Sequence, residues 1–416
     1  MGMTIAEKIL ARNAGLDLVS PGDFVTVEPE TIVLIDMNFL PGKWWEILHV
    51  ADPDRIVVVF DHLVPAKDKL SAAAHAKGRE FVKKFGIQRF HDVGRNQGIV
   101  HQIVGDYGYA EPGGILLCVD SHTCSAGAYN CAGRGVGHPD IFSAAATGKS
   151  WFQCSPTVRY ELVGTPGACV TPKDVFLYMA GKYGDHSLQN IEFHGEAAHA
   201  WGMNERRALS TMCAEVGAEF AIFAADEKLV DHMVDRGKPH TQPLAADPDA
   251  KYEDTRTIDV SRVGPMVAVP HHVINNTRPV EEVRGTKIDQ CFIGSCCNGT
   301  LDDIRIAAEI VEGKRVAGDL RFIVTPASQQ VYREALDEGY VATLLASGAV
   351  VTSSACGACA GLDMGVLAAG ETAISASTRN FKGRMGSPDA EVYLGSPATV
   401  AASALKGTIT DPRSLA

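Results

Sequence analysis

Residues 287–311 read KIDQCFIGSCCNGTLDDIRIAAEIV and contain the pattern that decides the fold. The apolar run 287–293 is short and bounded by turn residues, which predicts a strand buried on both faces. A turn with two cysteines follows, and then the helix-like segment 301–311. A strand, a turn and a helix in this order form the repeating unit of α/β proteins with parallel sheets.

The same alternation continues through the rest of the chain. Further Val- and Ile-containing runs predict strands at 31–35, 55–60, 114–119, 157–162, 320–324 and 349–352. Helix-like segments lie between them at 67–85, 204–216 and 329–338. The predicted fold class is therefore α/β with mostly parallel sheets. Ligands bind beyond the carboxyl ends of such strands, so residues just after these runs are the site candidates.

The length and loop composition predict several domains. A chain of 416 residues is too long for one ordinary domain. Loop-like stretches at 164–172 and 237–255, and a change in Pro and charge content around 265–279, interrupt the strand–helix alternation. We predict an α/β domain with the His and Asp loops at 1–155, a second at 156–280, and a third with the cysteine and Arg loops at 281–416.

Charge and cysteine usage restrict the class of protein. A formal net charge of -12 argues against a nucleic-acid partner, because phosphate binding needs clustered Lys and Arg. No apolar run is long enough to span a membrane, and the N-terminus lacks the pattern of a signal peptide. The 11 cysteines are odd in number and do not resemble a disulfide framework. These features predict a cytoplasmic protein with reduced thiols and no membrane partner.

Three cysteines are candidate metal ligands. Cys356 and Cys359 form a C-x-x-C after the predicted strand 349–352, a pattern that also suits a redox pair, half of a zinc site, or two buried cysteines. Cys296 follows the strand 287–293, and two such loops can meet over one metal. Three thiolates suit an iron–sulfur cluster with one iron that lacks a protein ligand, whereas a fourth from Cys297 suits a closed site. An open iron can weaken the C–O bond of a hydroxy acid.

Histidines also cluster where predicted strands end. Asp61 and His62 follow one strand, Asp120 and His122 follow another, and His101 lies in a loop between them. A carboxylate beside a histidine fixes its tautomer and raises its basicity, which suits proton transfer near neutral pH. Each histidine taken alone also suits a purely structural role.

Residues 377–386 place Arg379 and Arg384 in a Gly-containing loop. Guanidinium groups bind carboxylates in a bidentate manner, so this loop suits a dicarboxylic acid. A solvated basic loop is the alternative interpretation.

Taken together, these segments resemble the aconitase superfamily, most closely the archaeal-type 3-isopropylmalate dehydratase (isopropylmalate isomerase) and homoaconitase large subunits. The resemblance covers nearly the whole chain. It runs through residues 56–68, 98–102, 120–124, 146–151, 191–195 and 393–400, as well as the two cysteine loops and the Arg loop.

The resemblance implies a role for each matching residue. A [4Fe-4S] cluster would be held by Cys296, Cys356 and Cys359. His101 would protonate the departing hydroxyl group of the substrate. The implied His–carboxylate pairs are Asp61 with His62, His101 with Asp120, and His122 with Glu192, and the implied substrate contacts are Ser121, Arg379 and Arg384.

The resemblance also implies three α/β/α domains around the cluster and a hydro-lyase that dehydrates or isomerises a 2-hydroxy dicarboxylic acid, as in leucine biosynthesis. The mobile fourth domain of the family and its catalytic serine are expected on a separate small subunit. The alternatives are a paralogue for dimethylmalate, citramalate, maleate-derived malate or homocitrate, and, in another class, a structural zinc protein or an RNA-binding protein.

Four departures from the family pattern involve five residues. Cys297 replaces a threonine, Thr378 and Thr211 each replace an asparagine, and Ser354-Ala355 replaces Pro-Gly. Because residues around metal ligands tune a metal site, these changes suggest a different malate-type substrate. Sequence drift with an unchanged substrate is the alternative.

Overall fold

The strand and helix predicted from residues 287–311 are both present in the computed structural model, which describes residues 2–415. Strand Gln290–Ile293 is buried at every residue. Helix Leu301–Val311 begins after Thr300, whose hydroxyl accepts a hydrogen bond from the backbone of Asp303. The Asp303 carboxylate accepts in return from the Thr300 amide at 2.9 Å, and this capping box fixes the start of the helix. Met1 and Ala416, the outer ends of the first and third predicted domains, lie outside the described residues.

Strands and helices alternate along most of the described chain. The strands are β1 (Phe24–Val27), β2 (Thr31–Ile35), β3 (Ile56–Val59), β4 (Arg89–His91), β5 (Ile115–Cys118), β6 (Ala132–Gly135), β7 (Ser150–Gln153), β8 (Thr157–Val163), β9 (Asn190–His194), β10 (Ala221–Phe223), β11 (Asp254–Asp259), β12 (Met266–Ala268), β13 (Thr277–Pro279), β14 (Gln290–Ile293), β15 (Arg321–Val324), β16 (Val350–Val351), β17 (Thr372–Ser375) and β18 (Glu391–Gly395).

The α-helices are α1 (Ile5–Ala14), α2 (Lys69–Phe85), α3 (Val100–Asp106), α4 (His138–Thr147), α5 (Pro172–Tyr183), α6 (Glu196–Ala200), α7 (Met203–Met212), α8 (Glu227–Val234), α9 (Val280–Val283), α10 (Ser295–Asn298), α11 (Leu301–Val311), α12 (Gln329–Asp337), α13 (Tyr340–Ser347) and α14 (Pro397–Lys406). Short 3-10 helices span Asp36–Phe39, Pro53–Arg55, Ser121–Tyr129, Cys213–Val216, Val260–Arg262, Gly357–Ala360 and Pro412–Leu415.

The chain forms two compact units, each built from several segments. The first unit contains the chain up to Val93, then Val100–Gly164 and His186–Ile258. The second contains Gly94–Ile99, Thr165–Asp185 and the chain from Asp259 onward. The chain passes from one unit to the other after residues 164, 185 and 258, among other places. The predicted division into three domains with edges near 155 and 280 stays a prediction.

The first unit contains a five-stranded sheet in the order β4-β3-β2-β5-β6, in which every neighbouring pair is parallel. All residues of β2 and β3 are buried, because both faces of the sheet are covered. A four-stranded sheet in the order β10-β9-β8-β11 and the antiparallel pair β1-β7 belong to the same unit. The carboxyl ends of β3 and β5 therefore lie at one edge of the five-stranded sheet.

The second unit contains a seven-stranded sheet in the order β13-β12-β18-β17-β14-β15-β16. Its pairs from β18 to β16 are parallel, whereas β12 is antiparallel to both of its neighbours. The carboxyl ends of β14, β16 and β17 consequently lie at the same edge of this sheet. The cysteine loops and the Arg loop follow these three strands.

Length and apolar character decide whether any of the helices within residues 2–415 can span a membrane. None of them is both long enough and apolar enough to cross a bilayer.

Candidate functional site

Three histidines of the first unit surround one carboxylate, that of Asp120. His101 Nε2 lies 2.8 Å from Asp120 Oδ1, and His122 Nδ1 lies 3.3 Å from the same oxygen. His62 Nε2 lies 3.4 Å from the other carboxylate oxygen. Asp120 follows β5 and His62 follows β3, so the shared edge of the parallel sheet brings these residues together. The structure thus groups four of the predicted site residues.

The three histidines keep Asp120 ionised. Burial alone would raise the pKa of this carboxyl group, but hydrogen bonds and charge interactions with the histidines outweigh burial and hold its pKa well below the ordinary value. An ionised carboxylate accepts hydrogen bonds from the imidazole N–H groups that face it and fixes the orientation of the rings. This part of the chain can therefore hold and donate a proton.

The backbone around Asp120 also positions Ser121. The Asp120 carboxylate accepts a hydrogen bond from the His122 amide at 2.7 Å, which caps the 3-10 helix Ser121–Tyr129. Ser121 is exposed at the first position of that helix. The predicted substrate-contact serine is therefore accessible next to the buried histidine cluster.

Asp61 connects His62 to the helix that carries His101. Its Oδ1 atom lies 2.7 Å from His62 Nδ1, as the sequence predicted. Its Oδ2 atom accepts a hydrogen bond at 2.9 Å from the amide of Val100, the first residue of α3. One buried carboxylate therefore orients the His62 ring and fixes the start of the His101 helix.

Asp36, which was not identified from the sequence, holds the backbone of the loop that carries Asp61 and His62. Its carboxylate accepts hydrogen bonds from the backbone amides of Asp61, His62 and Leu63 at 3.1, 3.0 and 2.7 Å. Asp36 directly follows β2, so its position at a strand end was the signal that could have identified it. The residue is completely buried and acts on the backbone of the loop rather than on a ligand.

The predicted pairing of His122 with Glu192 is wrong. The carboxylate opposite His122 Nε2 is that of Glu215, at 2.8 Å. Glu192 lies within β9, where it accepts hydrogen bonds from the Tyr252 hydroxyl at 2.9 Å and from the Ala6 amide at 3.2 Å. The reason is packing: α7 and the following 3-10 helix Cys213–Val216 contact the segment Ser121–Tyr129 and place Glu215 beside His122.

Glu215 affects the charge of His122. Burial opposes protonation of this ring, but its hydrogen bonds to Asp120 and Glu215 are stronger and raise the pKa above 6.5. The two carboxylates on either side of the ring thus favour its protonated form.

The three predicted ligand cysteines lie in the second unit and are all buried. Cys296 is in α10 directly after β14, and Cys356 and Cys359 follow β16. Cys296 and Cys356 share an apolar cluster with Ile99 and Ala327. The two cysteine loops therefore follow strands of one parallel sheet and lie at its carboxyl edge.

Residues of the Arg loop lie beside the second cysteine loop. Arg384 Nη2 approaches Cys359 Sγ to 4.0 Å, and Thr378 Oγ1 lies 3.7 Å from the same sulfur. Arg379 and Arg384 are both partly buried. A guanidinium and a hydroxyl group next to a thiol ligand suit the binding of an anionic, oxygen-rich substrate.

Comparison with known families agrees with this geometry. The model of the aconitase family (aconitate hydratase) matches residues 47–280 and 273–407. The chain belongs to the aconitase family. Family membership implies an iron–sulfur cluster, and the donor set fits this group, because three buried cysteines follow strands of one parallel sheet and two of them share an apolar cluster.

Several relatives in the family match along their full length. The 3-isopropylmalate dehydratase large subunit of Mycolicibacterium smegmatis is 51% identical over 413 residues, which cover 99% of this chain and 97% of the relative. The 3-isopropylmalate dehydratase large subunit 1 of Methanopyrus kandleri is 42% identical, with 99% of both chains covered. The solved structure of Thermococcus kodakaraensis aconitase X (holo-form) aligns with a TM-score of 0.48 at 13% identity and covers 90% of this chain and 88% of its own.

Cys297, which replaces a threonine of the family pattern, has hydrogen-bond partners of its own. Its thiol donates to Asn298 Oδ1 at 2.7 Å, and Lys173 Nζ donates to its sulfur at 3.6 Å. Burial raises the pKa of this thiol to about 11, although the charge of Lys173 opposes the increase.

Lys173 connects the two loops of this aconitase-family site. Its side chain is completely buried. In addition to Cys297, its ammonium group donates hydrogen bonds to the backbone carbonyls of Ser377 at 2.6 Å and Ala376 at 3.3 Å. These carbonyls directly precede Thr378 and Arg379. Lys173 was not identified from the sequence, where it directly follows the loop-like stretch 164–172.

Proposed function

We propose that this chain is the large, [4Fe-4S]-carrying subunit of a hydro-lyase that dehydrates or isomerises a 2-hydroxy dicarboxylic acid, with 3-isopropylmalate as the first candidate substrate. The main supporting observation is that buried Cys296, Cys356 and Cys359 lie at one sheet edge with Arg384 beside them. The full-length similarity to large subunits of 3-isopropylmalate dehydratase supports the same substrate and a role in leucine biosynthesis in the cytoplasm.

In this proposal the three cysteines are thiolate ligands, and one iron of the cluster has no protein ligand. When bound, the cluster supplies a Lewis-acidic iron that weakens the C–O bond of the hydroxy acid. Cys297 is not assigned as a ligand in this proposal, and its sulfur hydrogen-bonds with Lys173 and Asn298.

The histidine cluster supplies the proton. We assign to the His101 ring the proton that the departing hydroxyl group takes, with Asp120 holding the ring in position through Nε2 at 2.8 Å. The rings of His122 and His62 also hydrogen-bond to Asp120 and help to keep it ionised, and Asp61 orients the His62 ring. Ser121, Arg379 and Arg384 bind the substrate carboxylates in this proposal.

The complete enzyme requires a second chain in our proposal. The word "large" in the names of the relatives supports a small-subunit partner. We assign to that partner the mobile fourth domain and the serine that removes the α-proton.

A second candidate is a paralogue that acts on another malate-type acid, such as dimethylmalate, citramalate, maleate-derived malate or homocitrate. The observation that favours it is the position of Thr378, whose hydroxyl lies 3.7 Å from Cys359 Sγ where the family pattern has an asparagine. Thr211, by contrast, donates its hydroxyl to the Arg207 carbonyl of its own helix at 2.6 Å. Of these two changes, only the one at Thr378 lies beside a proposed ligand.

The decisive experiment is anaerobic co-purification with the small subunit, followed by iron and sulfide analysis and an assay against these acids. We expect a brown protein with four irons per large subunit and turnover of 3-isopropylmalate. Turnover of another acid alone would favour the paralogue. A colourless protein that contains one zinc would refute the hydro-lyase, and tight, salt-dependent RNA binding by the apo chain would favour the RNA-binding alternative.

A further inference from the structure

Arg207 is a buried cation behind the histidine cluster of the first unit. It lies in α7 and is completely buried. Its Nη1 atom donates a hydrogen bond to the backbone carbonyl of His101 at 3.4 Å. Its Nε and Nη2 atoms have no hydrogen-bond partner among residues 2–415, and no carboxylate in that range forms an ion pair with it.

The preceding residue, Arg206, has the opposite environment. It is equally buried, but its guanidinium forms a bidentate ion pair with Asp226, one contact of which measures 2.9 Å. It also donates to the carbonyls of Trp201 and His199 at 3.2 and 3.3 Å. The charge of Arg206 is therefore compensated by the Asp226 carboxylate, whereas Arg207 forms no ion pair among residues 2–415.

The groups around Arg207 experience its charge. His232, on α8, has its pKa lowered to about 4, mainly by burial and further by the positive charges of Arg236 and Arg207. The buried Tyr129 hydroxyl, whose pKa burial raises, also lies close enough for the charge of Arg207 and a hydrogen bond with its side chain to oppose that increase. These neighbouring groups are therefore positively charged or neutral and do not act as a counter-ion. The carboxylate of Asp106 also affects the pKa of Tyr129, and it accepts a hydrogen bond from Gln102.

Burying a guanidinium without a counter-charge is unfavourable, and an apolar side chain of similar length would stabilise the fold. Residues that reduce stability in this way are typically found at functional sites. The contact that Arg207 makes is to the residue that carries the proposed acid. The first turn of α3 is held by the Asp61 carboxylate at the amide of Val100 and by Arg207 at the carbonyl of His101.

We propose that Arg207 is a positioning residue for His101. By holding the carbonyl of His101, it fixes the direction of the imidazole toward Asp120, and the chain retains it at a cost in stability. This inference rests on the proposed function, because its consequence is the rate of proton transfer by His101.

The test compares Arg207→Met, Arg207→Lys and the matched control Arg206→Met. The Tm of each isolated chain is measured first, without cluster or partner. We expect Arg207→Met to raise Tm or leave it unchanged, and Arg206→Met to lower it because Asp226 is left unpaired. A lower Tm for Arg207→Met, or its failure to fold, would overturn the inference and make Arg207 an ordinary structural residue.

Steady-state kinetics of the cluster-loaded complex with 3-isopropylmalate follow. We expect Arg207→Met to lower kcat by about tenfold or more, since small errors in position reduce rates strongly, while KM changes less than about twofold. Arg207→Lys should recover part of the lost kcat. An unchanged kcat in Arg207→Met would overturn the inference. Failure of the wild-type complex on every hydroxy acid would instead refute the proposed function, and the Tm comparison would still decide whether Arg207 is retained at a cost in stability.

Discussion

The Nε2 atom of His122 lies 2.8 Å from a carboxylate oxygen of Glu215, a residue 93 positions further along the chain. The other ring nitrogen of His122 faces Asp120. The imidazole is therefore held between two carboxylates that come from different segments. This arrangement determines how the charge of the cluster changes with pH.

We expect Glu215→Gln to lower the pKa of His122, because one of the two carboxylates that stabilise its charged form is removed. In the folded wild-type chain this pKa lies above the ordinary 6.5. The stabilising contribution of His122 is thus fully present below pH 6.5 and is lost as pH rises through the folded-state pKa. In Glu215→Gln that loss should occur at lower pH. NMR titration of the His122 ring and denaturation at several pH values measure both effects.

The matched control is Glu192→Gln. Glu192 hydrogen-bonds to Tyr252 and the Ala6 amide, so its substitution should leave the pKa of His122 unchanged. The opposite pattern, with Glu192→Gln lowering the pKa and Glu215→Gln having no effect, would contradict the pairing in the structure.

Substitution of His101 should separate the proton donor from the metal site. We expect His101→Ala to lower kcat by about 10²–10⁴, the usual contribution of a positioned acid. Iron content should stay at the wild-type value, since the cysteine loops belong to the second unit. Iron analysis and steady-state kinetics of the same preparation check this expectation. Loss of the cluster in this variant would show that His101 has a role in metal binding.

The number of thiolate ligands is testable with two adjacent cysteines. Cys296→Ala should abolish cluster binding, whereas Cys297→Thr should retain it, because the Cys297 thiol already hydrogen-bonds to Asn298. Absorbance near 400 nm and iron content distinguish the variants. A full cluster in Cys296→Ala, or its loss in Cys297→Thr, would show that the ligand set is incorrect.

The comparison between sequence and structure shows which features are local. Runs of β-branched residues bounded by turns predicted β2 at its observed limits and β3 within one residue at each end, because burial on both faces leaves an uninterrupted apolar run. The site loops were predicted for the same reason: Cys296, Asp120 and His62 all follow such runs.

Pairings between distant segments were not predictable in the same way. Glu215 was missed because its position beside His122 depends on the packing of α7 against Ser121–Tyr129. Lys173 and Arg207 were missed because a charged residue in a helix is normally exposed, and nothing local indicates that these two are completely buried. Such residues become visible only when the tertiary contacts are known.

The side chain of Lys173 links the cysteine loop to the Arg loop, and its removal should therefore affect both loops. Its ammonium group is the donor to the Ser377 and Ala376 carbonyls, so Lys173→Met removes the donor from two acceptors next to Thr378 and Arg379. We expect a decrease of about 1–3 kcal/mol in the free energy of unfolding, the usual cost of depriving buried polar groups of a partner.

Chemical denaturation of the isolated chain measures this decrease, and Lys182→Met on the exposed side of the same helix is the matched control with an expected change near zero. In the loaded complex, displacement of the Arg loop should raise KM for the dicarboxylate more than it lowers kcat, because the carboxylate contacts persist from ground state to transition state. Equal stability of Lys173→Met and Lys182→Met would show that the two loops keep their positions without this lysine.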